Sequence, residues 1–340
     1  MDAKKRIVFI VNPISGTQNK RAILNLLEKH MDHARYECRT LRTEYAGHAT
    51  LLARQAADEG AHLVVAVGGD GTVNEVARSL AHTPTALGII PCGSGNGLAR
   101  HLQIPMEARG AIDVINAGHI RCIDYGRVNG IPFFCTCGVG FDAFVSLKFA
   151  ESGKRGLLTY LENTLHESLK YKPETYEIEN EDGTMRHKAF LIACANASQY
   201  GNNAYIAPGA SLSDGLMDVT ILEPFTVLDV PALAFQLFNK TLDQNNRIKT
   251  FKSKRITIHR SQPGVIHFDG DPVEAGQTIE VEVVEKGLHV CAPPKAAGEG
   301  PRPVLMGLKQ LNEILEGLKE PGRTLLEESK TLLRRLKDKE

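Results

Sequence analysis

The chain has 340 residues, 42% apolar and 24% charged, which suits a soluble globular protein of about two domains with a sizeable core. Its 40 Lys and Arg balance 40 Asp and Glu. That argues against a dedicated nucleic-acid binder, which carries a basic excess, and no apolar run approaches the roughly 20 residues of a membrane-spanning helix.

The first element is an apolar run over 5–11. Only five apolar residues separate Arg6 from Asn12-Pro13, too few for a signal-peptide core, so the run reads as a buried strand. Ala22, Ile23, Leu26 and Leu27 then give a helical stripe. Strand-like runs follow over 36–41, 63–67 and 87–90. Helical patterns over 49–57 and around Val73, Val76, Ala77 and Leu80 lie between them. Strands alternating with helices predict a layered α/β domain with a parallel sheet, over 1–120. From 121 to 292 the character changes. Short strands are predicted over 122–128, 132–137, 175–179, 189–194, 217–222, 255–259 and 278–284, with Gly, Asn, Asp or Pro in the turns and one helical interruption over 157–170. This part reads as a mostly antiparallel, β-rich domain. A Pro/Gly-rich stretch over 293–303 reads as a linker. Two amphipathic helices separated by Pro321-Gly322 are expected over 304–340. The seven cysteines form no C-x-x-C pair; the nearest spacing is Cys135-x-Cys137. They read as reduced, mostly buried thiols of a cytoplasmic protein without a zinc site.

Three glycine-rich segments close predicted strands of the first domain: Asn12-Pro13-Ile14-Ser15-Gly16, Gly68-Gly69-Asp70-Gly71-Thr72, and Pro91-Cys92-Gly93-Ser94-Gly95-Asn96-Gly97. In an open α/β sheet, ligands bind beyond the carboxyl ends of the strands. Glycines there let the backbone approach phosphate oxygens, and a following helix points unpaired N–H groups at an anion. One such loop is often only a tight turn; three after three strands predict a phosphate site. Asp70 among phosphate-binding N–H groups suits a magnesium ion, a metal-bound water or a ribose hydroxyl. No Walker A pattern is present. Gly138-Val139-Gly140-x-x-Ala143 imitates a dinucleotide fingerprint but lies in the β-rich part and reads as a packing turn.

Taken together, Val67 to Val76, Asn12-Pro13-x-Ser15-Gly16 and Pro91-x-Gly93-Ser94-Gly95-Asn96 resemble the diacylglycerol kinase catalytic family, which includes bacterial soluble lipid kinases, sphingosine kinases and ceramide kinases. The Gly68–Gly71 core is shared with NAD kinases and 6-phosphofructokinases; the flanking motifs are not. The resemblance covers about 5–290 and implies an α/β plus β-rich architecture with a nucleotide in the interdomain cleft. It implies that ATP is lined by Asn12, Pro13, Ile14, Ser15, Gly16, Thr43, Gly68, Gly69, Asp70, Gly71, Thr72, Val73, Asn74 and Ser94. It also implies that Ser211, Asp214 and Leu216 hold a structural Mg2+, Ser211 and Leu216 through main-chain oxygens.

Phe268-Asp269-Gly270-Asp271 matches the family's Asp-Gly-Glu motif for the catalytic base, with Asp271 in place of the usual Glu, so either Asp269 or Asp271 is expected to act. The implied reaction is phosphoryl transfer from ATP to a primary hydroxyl of a membrane lipid, with Asp70 taking part through magnesium. Sphingosine kinases read the amine of their substrate with an Asp at the position of Phe144. A diacylglycerol-like acceptor is therefore expected before a sphingoid base. An NAD kinase-like enzyme and a non-catalytic lipid- or nucleotide-binding regulator are the remaining alternatives. The expected setting is cytoplasmic with transient contact to the membrane surface. A homodimer stays open, and neither nucleic acid nor an obligate protein partner is inferred.

Overall fold

The computed structural model describes residues 3–16, 19–152 and 171–294. The helix expected over 157–170 and the amphipathic pair over 304–340 lie outside the described residues. In chain order the first half contains β1 (Lys5–Val11), α1 (Lys20–His30), β2 (Tyr36–Arg42), α2 (His48–Asp58), β3 (Leu63–Gly68), α3 (Asp70–Leu80), β4 (Ala86–Pro91), α4 (Gly97–His101) and α5 (Ala108–Ala117). Then come β5 (Ile120–Val128), β6 (Ile131–Phe133), β7 (Thr136–Gly140), α6 (Phe141–Ser152), β8 (Glu174–Asn180), β9 (Gly183–Ala189), β10 (Leu191–Ala195) and β11 (Met217–Leu222). Last are α7 (Val230–Phe238), β12 (Ile248–Ser253), β13 (Arg255–His259), β14 (Gly264–Phe268), β15 (Asp271–Ala275) and β16 (Thr278–Cys291).

Strands β2-β1-β3-β4 pair in parallel in that order. β3 and β4 are buried along their whole length, as continuous aliphatic runs covered on both faces must be. The Asn19 side chain starts α1 by accepting the N–H groups of Arg21 and Ala22.

Beyond β4 the sheet continues into the second half through β16, β13, β8 and β9. A separate antiparallel sheet runs β12-β11-β10-β7-β14-β15. The two sheets face each other across a core in which Tyr176, Ile178, Ile256, Ile258, Ile279 and Val281 meet Val139, Ile192, Met217, Val219, Ile221 and Ile266. On the other side of the six-stranded sheet, Phe141, Phe190, Leu233 and Leu242 form a smaller core with Ala193 and Ala195. Gly138 belongs to this packing: a β-carbon there would lie 2.3 Å from Asp142 Oδ2.

Two elements differ from their sequence expectation, each for a visible reason. The apolar stretch 132–137 divides into β6 and β7, because the N–H groups of Phe134, Cys135 and Thr136 turn away to the Asp269 carboxylate. The last strand does not stop near residue 284. β16 pairs with β13 up to Glu282, shifts register between Val284 and Leu288, and then runs beside β5 to Cys291. Val290 there pairs in parallel with Leu87 of β4. The final strand is thus shared by the α/β layer and the β-rich half, and it sets the cleft between them.

Candidate active site

The three glycine loops leave one edge of the parallel sheet. The ladders run into the loops through Asn12 N–H to Val67 O (3.1 Å), Thr43 N–H to Val11 O (3.0 Å) and Cys92 N–H to Gly68 O (2.8 Å). The loops also bind one another. Asn12 Nδ2 donates to Thr72 Oγ1 at 3.1 Å, Ile14 N–H donates to Asn12 Oδ1 at 3.1 Å, and Ser15 Oγ donates to Asn12 O at 3.1 Å. Two kinds of glycine can be told apart. At Gly16, whose φ is +64°, a β-carbon would sit 1.6 Å from the Cys92 carbonyl oxygen, and at Gly93 it would sit 2.8 Å from Gly69 Cα. These glycines let loops touch. Among the described residues, nothing outside its own turn of helix comes within 4 Å of the missing β-carbon of Gly71, so it opens outward.

Helix α3 starts beside it with Gly69 as N-cap and no side-chain cap. Its first N–H groups are therefore available to an anion. Pro13, Ile14, Gly71 and Ser94 are exposed around this opening, and Thr43, Thr72, Val73 and Asn74 are buried behind it.

Asp70 does not stand open at the mouth of these loops. Its Oδ2 accepts the Asn96 N–H at 2.8 Å and its Oδ1 the Gly97 N–H at 2.7 Å. It thereby fastens the second loop to the third. Burial pushes the Asp70 carboxyl above its ordinary value, and the two N–H groups work against that shift. Arg100 supports the same corner by donating to Gly95 O at 2.9 Å and to Asn203 Oδ1 at 3.3 Å. A carboxylate held this way fits a water-mediated contact to a nucleotide-bound metal rather than direct ligation.

Across the cleft, β14 and β15 form a hairpin whose two loop residues are Asp269 (φ +52°) and Gly270 (φ +88°). Positive φ at both positions is the turn that an Asp-Gly pair favours. The Asp269 carboxylate is used up by this architecture. It accepts Phe134 N–H at 2.8 Å, Cys135 N–H at 2.7 Å and Thr136 N–H at 3.1 Å. Burial nevertheless raises it to about 6, with the three N–H groups and Arg78 opposing. Asp271 is its opposite. Its side chain is 59% exposed and lies 3.8 Å from Arg78 Nη2 of α3. Among the described residues no hydrogen bond holds its oxygens. Desolvation in the cleft raises the Asp271 carboxyl; Arg78 opposes this and Glu75 adds to it.

Among the residues expected to hold a structural metal, Asp214 pairs with a cation of the chain. Lys252 Nζ lies 2.9 Å from both Asp214 Oδ2 and Asp218 Oδ2, and Asp214 Oδ1 accepts the Leu216 N–H at 3.2 Å. Ser211 Oγ accepts the Ser213 N–H at 3.3 Å. Burial alone would lower the Lys252 ammonium, but the two carboxylates outweigh it and raise its pKa. Asp214 is thus ion-paired with Lys252 in this structure.

Several site residues had no motif to announce them. Lys20 Nζ donates to Ser15 O at 2.7 Å and braces the first loop. Glu75 accepts the N–H groups of Gly47 and Ala49, both at 3.0 Å, and so anchors the start of α2 beside Thr43. Asp124, 2% exposed, accepts Gly215 N–H at 2.9 Å and Lys286 N–H at 2.7 Å. The buried Asp142 Oδ2 receives His267 Nε2 at 3.1 Å and the Tyr200 hydroxyl at 3.3 Å. Glu75 and Asp142 lay inside matched motifs that gave them no role, and the partners of Glu75, Asp124 and Asp142 are remote in sequence.

Two family models cover most of the chain: the diacylglycerol kinase catalytic domain over residues 6–128 and the YegS C-terminal NAD kinase beta sandwich-like domain over 135–292. A diacylglycerol kinase of Bacillus subtilis (strain 168) is 32% identical over 303 residues, 86% of this chain and 98% of that protein. A diacylglycerol kinase of Staphylococcus aureus (strain MRSA252) is 29% identical over 273 residues, 79% of this chain and 86% of that protein. A crystal structure of a diacylglycerol kinase from Bacillus anthracis str. Sterne shares the fold with a TM-score of 0.68 at 20% identity, over 86% of this chain and 99% of that one. Among the described residues no helix is long and apolar enough to cross a membrane. With its glycine loops facing a carboxylate-bearing hairpin across a cleft, and with these relatives, the chain belongs to the diacylglycerol kinase catalytic-domain family and is a lipid kinase, an enzyme class that implies nucleotide use.

Proposed function

We propose that the protein transfers the γ-phosphoryl group of ATP to the primary hydroxyl of a diacylglycerol-like lipid, with Asp271 as general base. The observation that carries this reading is the contrast within one hairpin. Asp269 has its oxygens committed to three main-chain N–H groups, whereas Asp271 is exposed to the cleft opposite the loops. A base must reach the proton it takes, and Asp271 meets that requirement. The α3 N-terminus and Gly71 offer N–H groups to phosphate oxygens, and Asn12 and Thr72 fix the loop that presents them. Phosphoryl transfer depends on such positioning and charge stabilisation more than on covalent chemistry. A magnesium ion bound with the nucleotide would supply neutralising charge, and Asp70 is the residue that would hold it through water. Asp269 holds the hairpin so that Asp271 keeps its aim.

The surroundings of Phe144 support a neutral acceptor over a sphingoid amine. Its ring packs with Phe141 (centroids 6.1 Å apart) and Tyr171 (5.9 Å), and Lys148 Nζ lies 5.7 Å from its centroid. An ammonium group there would compete with the Lys148 cation for the ring face and find no carboxylate at position 144. The test is transfer of labelled γ-phosphate from Mg-ATP to diacylglycerol, a sphingoid base, ceramide and phosphatidylglycerol in mixed micelles, with NAD as soluble control. Labelled diacylglycerol is expected. Labelled NAD, or a sphingoid base labelled in preference, would overturn the acceptor assignment.

A further inference from the structure

Arg78 sits on α3 with its guanidinium carbon 4.9 Å from the centroid of the Phe268 ring. Its Nη2 is 3.8 Å from Asp271 Oδ2, an ion-pair distance too long for a hydrogen bond. Both Nε and Nη2 are buried and have no hydrogen-bond partner among the described residues. These two N–H groups lie on one edge of the guanidinium, where they donate in parallel and match two oxygens of a single oxyanion. Buried donors are rarely left unpaired without a reason. The charged neighbours do not fill the gap. Glu75, one turn earlier on α3, spends its two oxygens on Gly47 and Ala49. His267 of β14 gives Nε2 to Asp142.

We propose that the Nε–Nη2 edge of Arg78 binds an oxyanion beside Asp271, and that this oxyanion is the phosphoryl group in transfer. The proposal rests on the lipid-kinase reading above. An acceptor oxygen that gives its proton to Asp271 lies within hydrogen-bond reach of it, and the phosphorus it attacks lies about 3–3.5 Å further on. Arg78 Nη2 is within the same few ångströms. Arg78 is eight residues beyond Asp70, about 12 Å along the helix axis, and helical side chains lean back toward the N-terminus, here toward the loops. In the step, the acceptor O–H proton passes to Asp271 and the acceptor oxygen bonds to the γ-phosphorus. The bond from that phosphorus to the β,γ-bridging oxygen breaks, and ADP leaves with its electron pair. Arg78 holds two of the equatorial oxygens on which negative charge accumulates. Stacking on Phe268 keeps the guanidinium planar and aimed.

An anionic headgroup on the acceptor lipid has the same chemistry, so the experiment separates the two sources. Arg78→Met and Arg78→Lys are compared with the unchanged chain by calorimetric titration of Mg-ADP and of Mg-β,γ-imido-ATP without lipid. Their kcat and KM are also compared with diacylglycerol and with phosphatidylglycerol as acceptors. The expected result for Arg78→Met is an affinity for the triphosphate reduced about tenfold, ADP affinity unchanged, and kcat reduced about 1,000-fold or more with diacylglycerol, as for other arginines placed on a transferring phosphoryl group. Arg78→Lys recovers part of the loss. Equal loss of ADP and triphosphate affinity would mark a structural role and overturn the proposal. So would unchanged nucleotide affinities with KM raised only for phosphatidylglycerol, which would place the headgroup there. If the unchanged chain phosphorylates no lipid, the reading under Proposed function fails, while the ADP-against-triphosphate comparison still decides the role of Arg78.

Discussion

Replacing Asp269 by Asn removes one acceptor from a carboxylate that holds three main-chain N–H groups, those of Phe134, Cys135 and Thr136. If the Asn carbonyl takes the Oδ1 place, the Cys135 and Thr136 bonds survive and the NH2 group points at the Phe134 N–H. One charge-assisted bond is then lost and a part-buried donor is left unpaired, a change of about 2–3 kcal/mol. Asn tolerates the positive φ of this position. Ala does not, and it removes both acceptor oxygens, leaving three N–H groups unpaired. Asp269→Ala should lose about 5 kcal/mol or more, comparable to the whole stability of many domains. Asp271 stands two residues away but supports none of these bonds. Asp271→Asn should change stability by no more than about 0.5 kcal/mol while lowering kcat by roughly 10²–10⁴-fold. Denaturant titration of the variants, paired with phosphate transfer at saturating ATP, checks both halves. An Asp269→Asn chain as stable as wild type but without turnover, alongside an active Asp271→Asn chain, would reverse the two roles and refute the reasoning from hydrogen bonds.

The glycine loops give a second contrast. Gly71→Ala should leave the melting temperature unchanged and weaken nucleotide binding at least tenfold, because its β-carbon enters the space kept for phosphate. Gly16→Ala should destabilise the chain itself, since its β-carbon collides with the Cys92 carbonyl. Calorimetric unfolding and nucleotide titration separate the two effects. Lys252→Met leaves Asp214 and Asp218 facing each other, which should lower stability by about 1 kcal/mol. Millimolar Mg2+ or Ca2+ should then raise the melting temperature of the variant but not of the wild type; an equal rise in both would show that Lys252 does not occupy the cation position.

Asp269 also predicts a pH dependence. Its folded value of about 6 lies above the unfolded one, so the folded state binds the extra proton between about pH 4 and 6. The contribution of this group to stability is therefore fully present below pH 4 and is lost as pH rises through 6. The difference in unfolding free energy between wild type and Asp269→Asn should shift in that direction across the window; a flat difference would remove the assigned shift.

How much of this could be read from residues alone follows from the range of each interaction. The parallel layer was legible because each of its strands is a short aliphatic run closed by a local signal, as in Leu63–Gly68 followed by Gly69. Burial on both faces demands such a run whatever it pairs with. The three loops were legible for the same reason: Asn12, Gly68 and Cys92 each mark a strand end within the strand's own neighbourhood. Asp269-Gly270 announced a turn through its own conformational preference. What the chain order did not reveal is which groups meet. The split of β6 from β7 depends on a carboxylate more than 130 residues away, and the length of β16 depends on β4 and β5, which lie far earlier in the chain. The choice between Asp269 and Asp271 likewise needed tertiary structure. Both are Asp in one motif, and only folding gives one three N–H partners and the other the open cleft beside Arg78. The occupation of the Asp214 corner by Lys252 came from the register of β11 against β12, which pairs Asp218 with Lys252. Sequence alone determined the element types and the glycine loops, since propensity, periodicity and turn chemistry act over a few residues. Tertiary structure decided the partners of the charged groups, because a carboxylate or guanidinium acquires its protonation, aim and partner only from groups that the fold brings within a few ångströms.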